Sequence, residues 1–418
     1  MKKIPVRGMR DILPTDMVLR QYLLDIVERV ATGAGYQKIE TPAIEHLENL
    51  SSNDGGENET LIFKVLKRGR SLEKAIDAGE SLADSALRYD LTVPLSRYIA
   101  ANAGSISMPL KTLQIGPVWR ADAPQKGRFR QFLQCDMDVI GASTVLAEMD
   151  IIKTTVEILS KICNDSGISG LTVHLNDRRI LLAAASYAGF SEEESGGVLI
   201  SLDKNDKIGL EGVRKELLDH GFGDEKVGKF ISLFERAGEG ISIFDFCRQL
   251  GEGAVEGSVL EDLDAIMSLE DSLQSENASV IFDPTLVRGM GYYTGPIFEC
   301  TVDGFGSSVA GGGRYDKMIG KFSGNVDIAA CGFSIGFERI ITILGDVGFT
   351  PPNTQERVAL LVDRKVPVEK YAQVLRDADD LRASGALVSV LPMAKNTRHQ
   401  VELLEGSGYT RFEKIYAN

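Results

Sequence analysis

The sequence predicts an α+β domain built on an antiparallel sheet, with a helical insertion, followed by a small α/β domain. Three patterns carry that prediction. Residues 111–140 read as strand, loop and strand, and the second strand alternates strictly between two faces. Residues 170–280 are dominated by helical spacing and acidic runs such as Glu192-Glu193-Glu194. Beyond residue 356 the pattern becomes β-α-β-α-β, which suits a small parallel sheet. The expected boundaries are 1–345 for the first domain, with an accessory insertion at about 170–280, then a linker at 346–356 and a second domain at 357–418.

The elements follow in order. Val18, Leu19, Tyr22, Leu23, Ile26, Val27 and Val30 recur at helical spacing, with Asp16 as the expected cap and Gly33 and Gly35 as the stop. Tyr36–Pro42 reads as an extended piece, either an edge strand or a strand end, because proline cannot donate to a sheet ladder. Leu87–Thr92 reads as a strand with Asp90 and Thr92 on one face. In the 111–140 unit the loop runs from Ala121 to Gly127, with Pro124 and Gly127 as turn residues. One face of the returning strand carries Phe129, Gln131, Leu133, Cys135, Met137 and Val139. The other carries Arg128, Arg130, Phe132, Gln134, Asp136 and Asp138, the pattern of a half-buried antiparallel strand. Residues 145–165 are expected to be helical, and strand signals return at 286–302. The glycines 311–313 form either a turn or a place where the backbone approaches a ligand closely. Gly332–Leu344 is the last expected helix of the first domain, and Gly345, Gly348, Pro351 and Pro352 mark the linker. Strands at 358–362, 387–391 and 411–415, with helices at 367–383 and 396–405, complete the chain.

Composition narrows the class. With 43% hydrophobic and 25% charged residues over 418 positions, the chain suits a globular protein of two or three domains. No run of 18 apolar residues exists to cross a membrane, and the N-terminus has no apolar core of a secretory signal. The five cysteines are scattered and never spaced as C-x-x-C, which argues against a disulfide framework or a zinc cage and suits the reducing cytoplasm. A net charge of −14 excludes a general nucleic-acid coat. Residues 120–130 run against that average, with four basic residues and one acidic; 356–418 holds ten basic and nine acidic.

The face from Arg128 to Asp138 is the most informative feature. It grades from cationic through aromatic to acidic, and at about 3.3 Å per residue Phe132 to Asp138 spans roughly 20 Å. A solvated sheet face with cross-strand pairs would accommodate it. So would an elongated site: arginines clamp phosphates, Phe132 stacks on a base, and Asp138 accepts from an amine or imidazole N–H. Arg339 in an apolar helix calls for a partner, either a structural ion pair or a ligand phosphate or base. Neither the P-loop pattern nor the Rossmann fingerprint is present.

Together these stretches resemble a family. Residues 115–141 (IGPVWRADAPQKGRFRQFLQCDMDVIG) are similar to motif 2 of the class II aminoacyl-tRNA synthetases, 332–341 (GFSIGFERII) to motif 3, and 35–45 (GYQKIETPAIE) to the weaker motif 1. Leu286–Glu299 (LVRGMGYYTGPIFE) and Ala310–Asp316 (AGGGRYD) resemble the signatures of the histidyl-tRNA synthetase family, which its non-catalytic paralogues share.

The resemblance implies a class II synthetase-like catalytic domain and a shortened anticodon-binding-like domain at 357–418. It implies attack of the histidine carboxylate on the α-phosphate of ATP, then transfer of the histidyl group to the 3′ end of tRNA-His. ATP is a substrate, Mg2+ accompanies it near Asp122, and the enzyme is a homodimer through the motif 1 region. Arg120 and Arg288 are the implied catalytic residues, holding the α-phosphate and carboxylate, and Arg128 reaches the outer phosphates. Phe132 and Arg339 sandwich the adenine. Asp90, Thr92 and Gln134 bind the α-amino group; Asp138 and Tyr293 read the imidazole, with Tyr292 and Tyr315 in the same pocket. Three departures stand out. Asp122 and Asp90 occupy positions where glutamate is common, Gly291 stands where aspartate is common, and the last domain stops at three strands and two helices. The competing reading is a non-catalytic paralogue: a regulatory subunit of ATP phosphoribosyltransferase, or a histidine or tRNA sensor. Retention of Arg120, Arg128 and Arg339 weighs against it.

Overall fold

The computed structural model describes residues 1–417 except 52–59, 125–126, 238–239, 274–277, 289–290, 325 and 353–354. Its contacts divide the chain into two compact units, one of Met1–Met9 with Asp25–Val347 and one of Arg10–Leu24 with Gly348–Asn418.

The chain begins with α1 (Pro14–Gly33). Proline opens it because its fixed φ suits the first turn and its missing N–H has no helical partner there. Asp16 therefore lies inside the first turn, where it favours the helix dipole, and is not the cap. Next come β1 (Gln37–Lys38), β2 (Ile44–His46), α2 (Leu47–Ser51), β3 (Lys64–Leu66), α3 (Arg70–Ala78) and β4 (Ala83–Leu87). Strands β2, β4 and β3 form a small sheet of their own. The Leu87–Thr92 reading fails here: β4 stops at Leu87, and Thr92 opens α4 (Thr92–Asn102). Asp90 lies in the turn between them and accepts the Val93 N–H of the first helical turn at 3.2 Å, and Pro94 sits in that turn, where it is tolerated.

Strands β5 (Leu110–Trp119) and β6 (Gln131–Ile140) form the expected hairpin, with all ten positions of each in register from Leu110 opposite Ile140 to Trp119 opposite Gln131. Then come α5 (Leu146–Ser166) and β7 (Leu171–Asp177). The helices α6 (Arg178–Ala188), α7 (Glu192–Leu202), α8 (Asn205–Asp219), α9 (Asp224–Ala237), α10 (Ile243–Leu250) and α11 (Gly257–Met267) follow. The unit closes with β8 (Ala278–Phe282), β9 (Pro296–Thr301), β10 (Ala310–Arg314), α12 (Lys317–Gly320), β11 (Ala330–Ile335) and α13 (Phe337–Asp346). The main sheet has the order β1-β5-β6-β11-β10-β9-β7-β8, antiparallel through the middle and parallel in the β1–β5 and β7–β8 pairs at its edges.

Four further expectations change. The 170–280 region is helical only inside, because its two ends, β7 and β8, pair with each other as strands of the main sheet. Strand structure in 286–302 is confined to β9 among the described residues. Residues 332–335 belong to β11, so the helix carrying Arg339 starts at Phe337. The glycines 311–313 are no turn; they run through β10 between β9 and β11. A Cβ on Gly312 would lie 1.9 Å from the Gly332 carbonyl oxygen, so only glycine lets β10 and β11 meet there.

Strand β6 is also deeper than a half-buried strand. From Gln134 onward every residue is buried. Cys135, Met137 and Val139 share the buried apolar face of the strand, and α5, which contacts β6, supplies Ile151, Ile152 and Ile158 to the core. The polar residues of β6 are therefore buried on the opposite face.

One buried ion pair ties α5 to the sheet. Arg314, at the end of β10, donates from Nε and Nη2 to the two oxygens of Glu148 at 2.6 and 2.7 Å. Glu148 is wholly shielded from solvent, and the planar fork suits a carboxylate in both contacts. In the second unit, β12 (Arg357–Val362) lies between β13 (Leu387–Pro392) and β14 (Arg411–Ile415) and is parallel to both. Val358, Leu360 and Val362 pack with Val374 and Ala378 of α14 (Tyr371–Ala383) on one face. Ala359 and Leu361 pack towards Met393, Val401 and Leu404 on the other, the last two on α15 (Thr397–Gly406).

Glu148→Ala leaves Arg314 buried with weaker partners. The expected loss is roughly 3 kcal/mol, read from urea unfolding; an unchanged midpoint would contradict the locking role of this pair.

Candidate active site

The strand period builds the site. Phe132, Gln134, Asp136 and Asp138 share one face of β6, and β11 brings Ser334 directly opposite Asp136. Arg120 follows β5, and its backbone N–H donates to the Arg130 carbonyl at 2.9 Å, which closes the neck of the loop between the two strands. Two adjoining cavities open along this face, and Arg120, Gln134, Arg288, Gly311 and Ser334 line both.

The outer cavity is cationic and aromatic. Arg120, Asp122, Arg128, Phe132 and Arg339 line it. The Arg120 guanidinium lies over the Phe132 ring at 5.2 Å, and its Nε donates to the Tyr89 carbonyl at 2.9 Å. Arg128 reaches Asp122 at 4.0 Å and is nearly half exposed. Arg339 donates from Nη1 to the Ser308 carbonyl oxygen and hydroxyl at 2.6 and 2.9 Å. Its partner is thus neutral, and the structural ion pair considered from the sequence is absent among the described residues. Burial, together with Arg128, Arg288 and Arg120 nearby, lowers the pKa of Arg339. A polyanion in this cavity would relieve that crowding of positive charge.

The inner cavity is lined by Asp90, Thr92, Gln134, Asp136, Asp138, Tyr292, Tyr293 and Tyr315, with Arg120 and Arg288 at its junction with the outer one. Tyr315 donates to Asp138 Oδ1 at 2.6 Å, and the Tyr292 and Tyr293 rings are 4.8 Å apart. The other Asp138 oxygen and the Gln134 Oε1 are buried without a hydrogen-bond partner among the described residues. Buried acceptors of that kind are costly unless a donor fills them, so they mark where a ligand N–H belongs. Burial raises the pKa of Asp138 well above the ordinary carboxylate value, and Asp136 adds to the rise while the Tyr315 hydroxyl opposes it. Burial likewise pushes Asp136 up to about 7, against the hydrogen bond from Ser334.

Glycines make the room. A Cβ on Gly332 would lie 2.1 Å from Asp138 Oδ1, and one on Gly311 would lie 2.5 Å from Arg288 Nη1. Arg288 Nη1 also donates to Glu299 on β9. Burial opposes the charge of Arg288, yet the neighbouring Glu299 carries its pKa above the usual value. Arg88, buried two residues before Asp90, is held in place: its Nη1 donates to the Thr41 carbonyl at 2.6 Å and its Nε to the Pro117 carbonyl at 3.0 Å.

Every residue expected from the sequence to bind ATP or histidine lines one of the two cavities. Gly291 is exposed, and its neighbours 289–290, like Lys126 of the basic loop, lie outside the described residues. Three site residues had been given no role. Asp136 was visible on the polar face of β6. Ser334 and Glu299 become legible only through strand register, Ser334 opposite Asp136 and Glu299 opposite Gly311.

Residues 8–340 match the family model described as histidyl-tRNA synthetase. The chain belongs to the histidyl-tRNA synthetase family. It is 40% identical to a protein of Leifsonia xyli named histidine–tRNA ligase, covering 99% of this chain and 95% of that one. A protein of the same name from Aeropyrum pernix is also 40% identical, over 92% of this chain and 84% of its own length. The crystal structure of histidyl-tRNA synthetase from Nostoc sp. PCC 7120 superposes with a TM-score of 0.77 at 26% identity, covering 98% of this chain and 90% of that one. The family's class II synthetase fold is the α+β architecture expected from the sequence. These full-length relatives also favour a ligase over the regulatory paralogue.

Proposed function

We propose that this chain is a histidine–tRNA ligase, which activates histidine with ATP and transfers it to the 3′ end of tRNA-His. The observation that carries the reading is the meeting of two unlike cavities at Arg120 and Arg288. One suits a polyphosphate and a base; the other suits an ammonium group and an imidazole.

The chemistry needs no side-chain nucleophile. A carboxylate oxygen of histidine attacks the α-phosphorus, the bond to the bridging oxygen breaks, and pyrophosphate leaves with that electron pair. Arg120 and Arg288 hold the α-phosphate and the carboxylate, so that charge developing between them meets fixed cations. Arg128 binds the outer phosphates, and Phe132 and Arg339 flank the adenine. Asp90, Thr92 and Gln134 take the α-amino group. Asp138 and Tyr293 take the imidazole, with Tyr292 and Tyr315 closing the pocket. In the second step a ribose hydroxyl of the tRNA attacks the acyl carbon and AMP leaves.

Magnesium is proposed to enter with the triphosphate. Among the described residues no three His, Cys, Asp or Glu side chains gather as a metal cage, and one carboxylate with phosphate oxygens is a common arrangement for this ion. Asp122, in the outer cavity, is that carboxylate; the ion would supply charge neutralisation on the phosphates.

The basic loop after Arg120 is proposed to meet the acceptor end of the tRNA, and residues 357–418 the anticodon. Among the described residues no helix is long and apolar enough to cross a membrane, and a cytoplasmic location is proposed. A homodimer through the motif 1 region is supported by solvent-exposed Ile44 on β2, with Leu66 on β3 and Ile76 on α3 exposed nearby in sequence.

Arg288→Ala is expected to lower histidine-dependent ATP–pyrophosphate exchange by roughly 10²–10³; an unchanged rate would remove Arg288 from the chemistry. Sedimentation at micromolar concentration is expected to give twice the chain mass, and a monomer alone would refute the dimer.

A further inference from the structure

Asp136 is the one buried carboxylate of the inner cavity to which the proposed mechanism gives no work. It is 4% exposed and sits on the same face of β6 as Gln134 and Asp138, midway between them. At about 3.3 Å per residue those two positions are roughly 13 Å apart. Gln134 and Asp138 each present a buried oxygen without a partner among the described residues. A ligand filling both with N–H donors passes over Asp136.

A hydrogen-bond relay fixes the carboxylate in place. Gln134 Nε2 donates to Ser334 Oγ at 3.0 Å, and Ser334 Oγ donates to Asp136 Oδ1 at 2.5 Å. The relay commits the Ser334 hydroxyl on β11 to Asp136 and the Gln134 amide on β6 to Ser334. It orients Gln134 as well, because committing Nε2 to Ser334 leaves Oε1 as the acceptor in the cavity.

We infer that Asp136 is a specificity-determining residue of the amino-acid pocket, supplying the charge opposite the substrate ammonium and orienting Gln134 through Ser334. This rests on the proposed function, since it assigns part of the histidine pocket. Three carboxylates, Asp90, Asp136 and Asp138, line one small cavity. Like charges so close repel, and an ammonium placed among them relieves the repulsion. A neutral ligand of the same shape would leave it standing, so the arrangement selects a free α-amino group.

The electrostatic surroundings of Asp136 make the selection depend on pH. Asp90 and Arg88 face it from the turn before α4, Arg120 from the end of β5, and Asp138 from its own strand. Ser334 faces it from β11 and Tyr293 from the segment before β9. Burial outweighs the two arginines and the serine and lifts Asp136 to about 7. In the empty pocket it is therefore ionised above that pH and neutral below it. An incoming ammonium favours the ionised form, so binding releases a proton near pH 7 and weakens as pH falls.

Calorimetric titrations with three probes test this: L-histidine, histidinol (ammonium and imidazole, no carboxylate) and 3-(imidazol-4-yl)propionate (no ammonium). At pH 8, Asp136→Asn is expected to weaken histidine and histidinol by about tenfold to a hundredfold and to leave the propionate unchanged. The ratio of variant to native Kd for histidine is expected to shrink towards one at pH 6, where native Asp136 is itself neutral; titration of the ligand's imidazole cancels in that ratio. Ser334→Ala, which keeps the charge, is expected to move the pH midpoint of native affinity upward. Equal weakening of all three probes by Asp136→Asn, a ratio independent of pH, or no weakening would overturn the inference. A native protein that binds neither histidine nor histidinol would instead refute the proposed function beneath it.

Discussion

A polar strand face buried in the middle of a sheet is the constraint from which the rest of this structure follows. Strand β6 lies between β5 and β11 inside the main sheet, packs against α5, and is buried from Gln134 onward. Its second face nonetheless carries Gln134, Asp136 and Asp138, all at most 9% exposed. Burying such groups costs several kcal/mol each unless they are paired. Tyr315 and Ser334 partly satisfy them, and the remaining acceptors are left for a ligand. The site is thus a set of polar groups whose burial is incompletely compensated in the empty protein.

The surrounding strands are shaped to keep that face open. Glycines at 311 and 332 leave space for Arg288 and Asp138, and Gly312 lets β10 approach β11 where a Cβ would collide with the Gly332 carbonyl. The Arg314–Glu148 pair fixes the end of β10 to α5, directly before Tyr315 enters the pocket. That buried pair is better understood as a register lock than as a source of net stability, because desolvation offsets much of its attraction. Cations concentrate on the other side: Arg120, Arg128, Arg288 and Arg339 all border the outer cavity. Charge is therefore sorted along one cleft, positive where phosphates would lie and negative where an amino group and an imidazole would lie.

Much of this was legible in the sequence, for a definite reason. Period-two alternation maps directly onto the faces of a strand, so the Phe132–Asp138 face could be read before any fold was known, whereas Arg128 and Arg130, expected on the same strand face, lie in the loop because β6 begins only at Gln131. The parallel C-terminal unit was legible on the same terms, its strands and helices being short, local and cleanly punctuated. What failed depended on partners distant in the chain. Glu148 and Arg314 are 166 residues apart, and nothing local announces their pairing. The glycines 311–313 left a turn and a close backbone approach both open, because their strand conformation is imposed by β9 and β11 on either side. Asp90 and Thr92 alternate as a strand would, yet β4 has ended at Leu87 and Asp90 bonds the Val93 N–H in the first turn of α4. The ends of the helical insertion looked like the insertion itself, since β7 and β8 become strands of the main sheet only by pairing with each other and with β9.

In the proposed reaction this one cleft couples an imidazole-bearing amino acid to ATP and delivers it to RNA. The most direct measurement is transfer of labelled histidine to a tRNA-His transcript, with and without ATP, followed by acid precipitation. The account predicts label on the RNA only when ATP is present, with AMP formed in equal amount. Binding of histidine and ATP with neither AMP nor labelled RNA would contradict it.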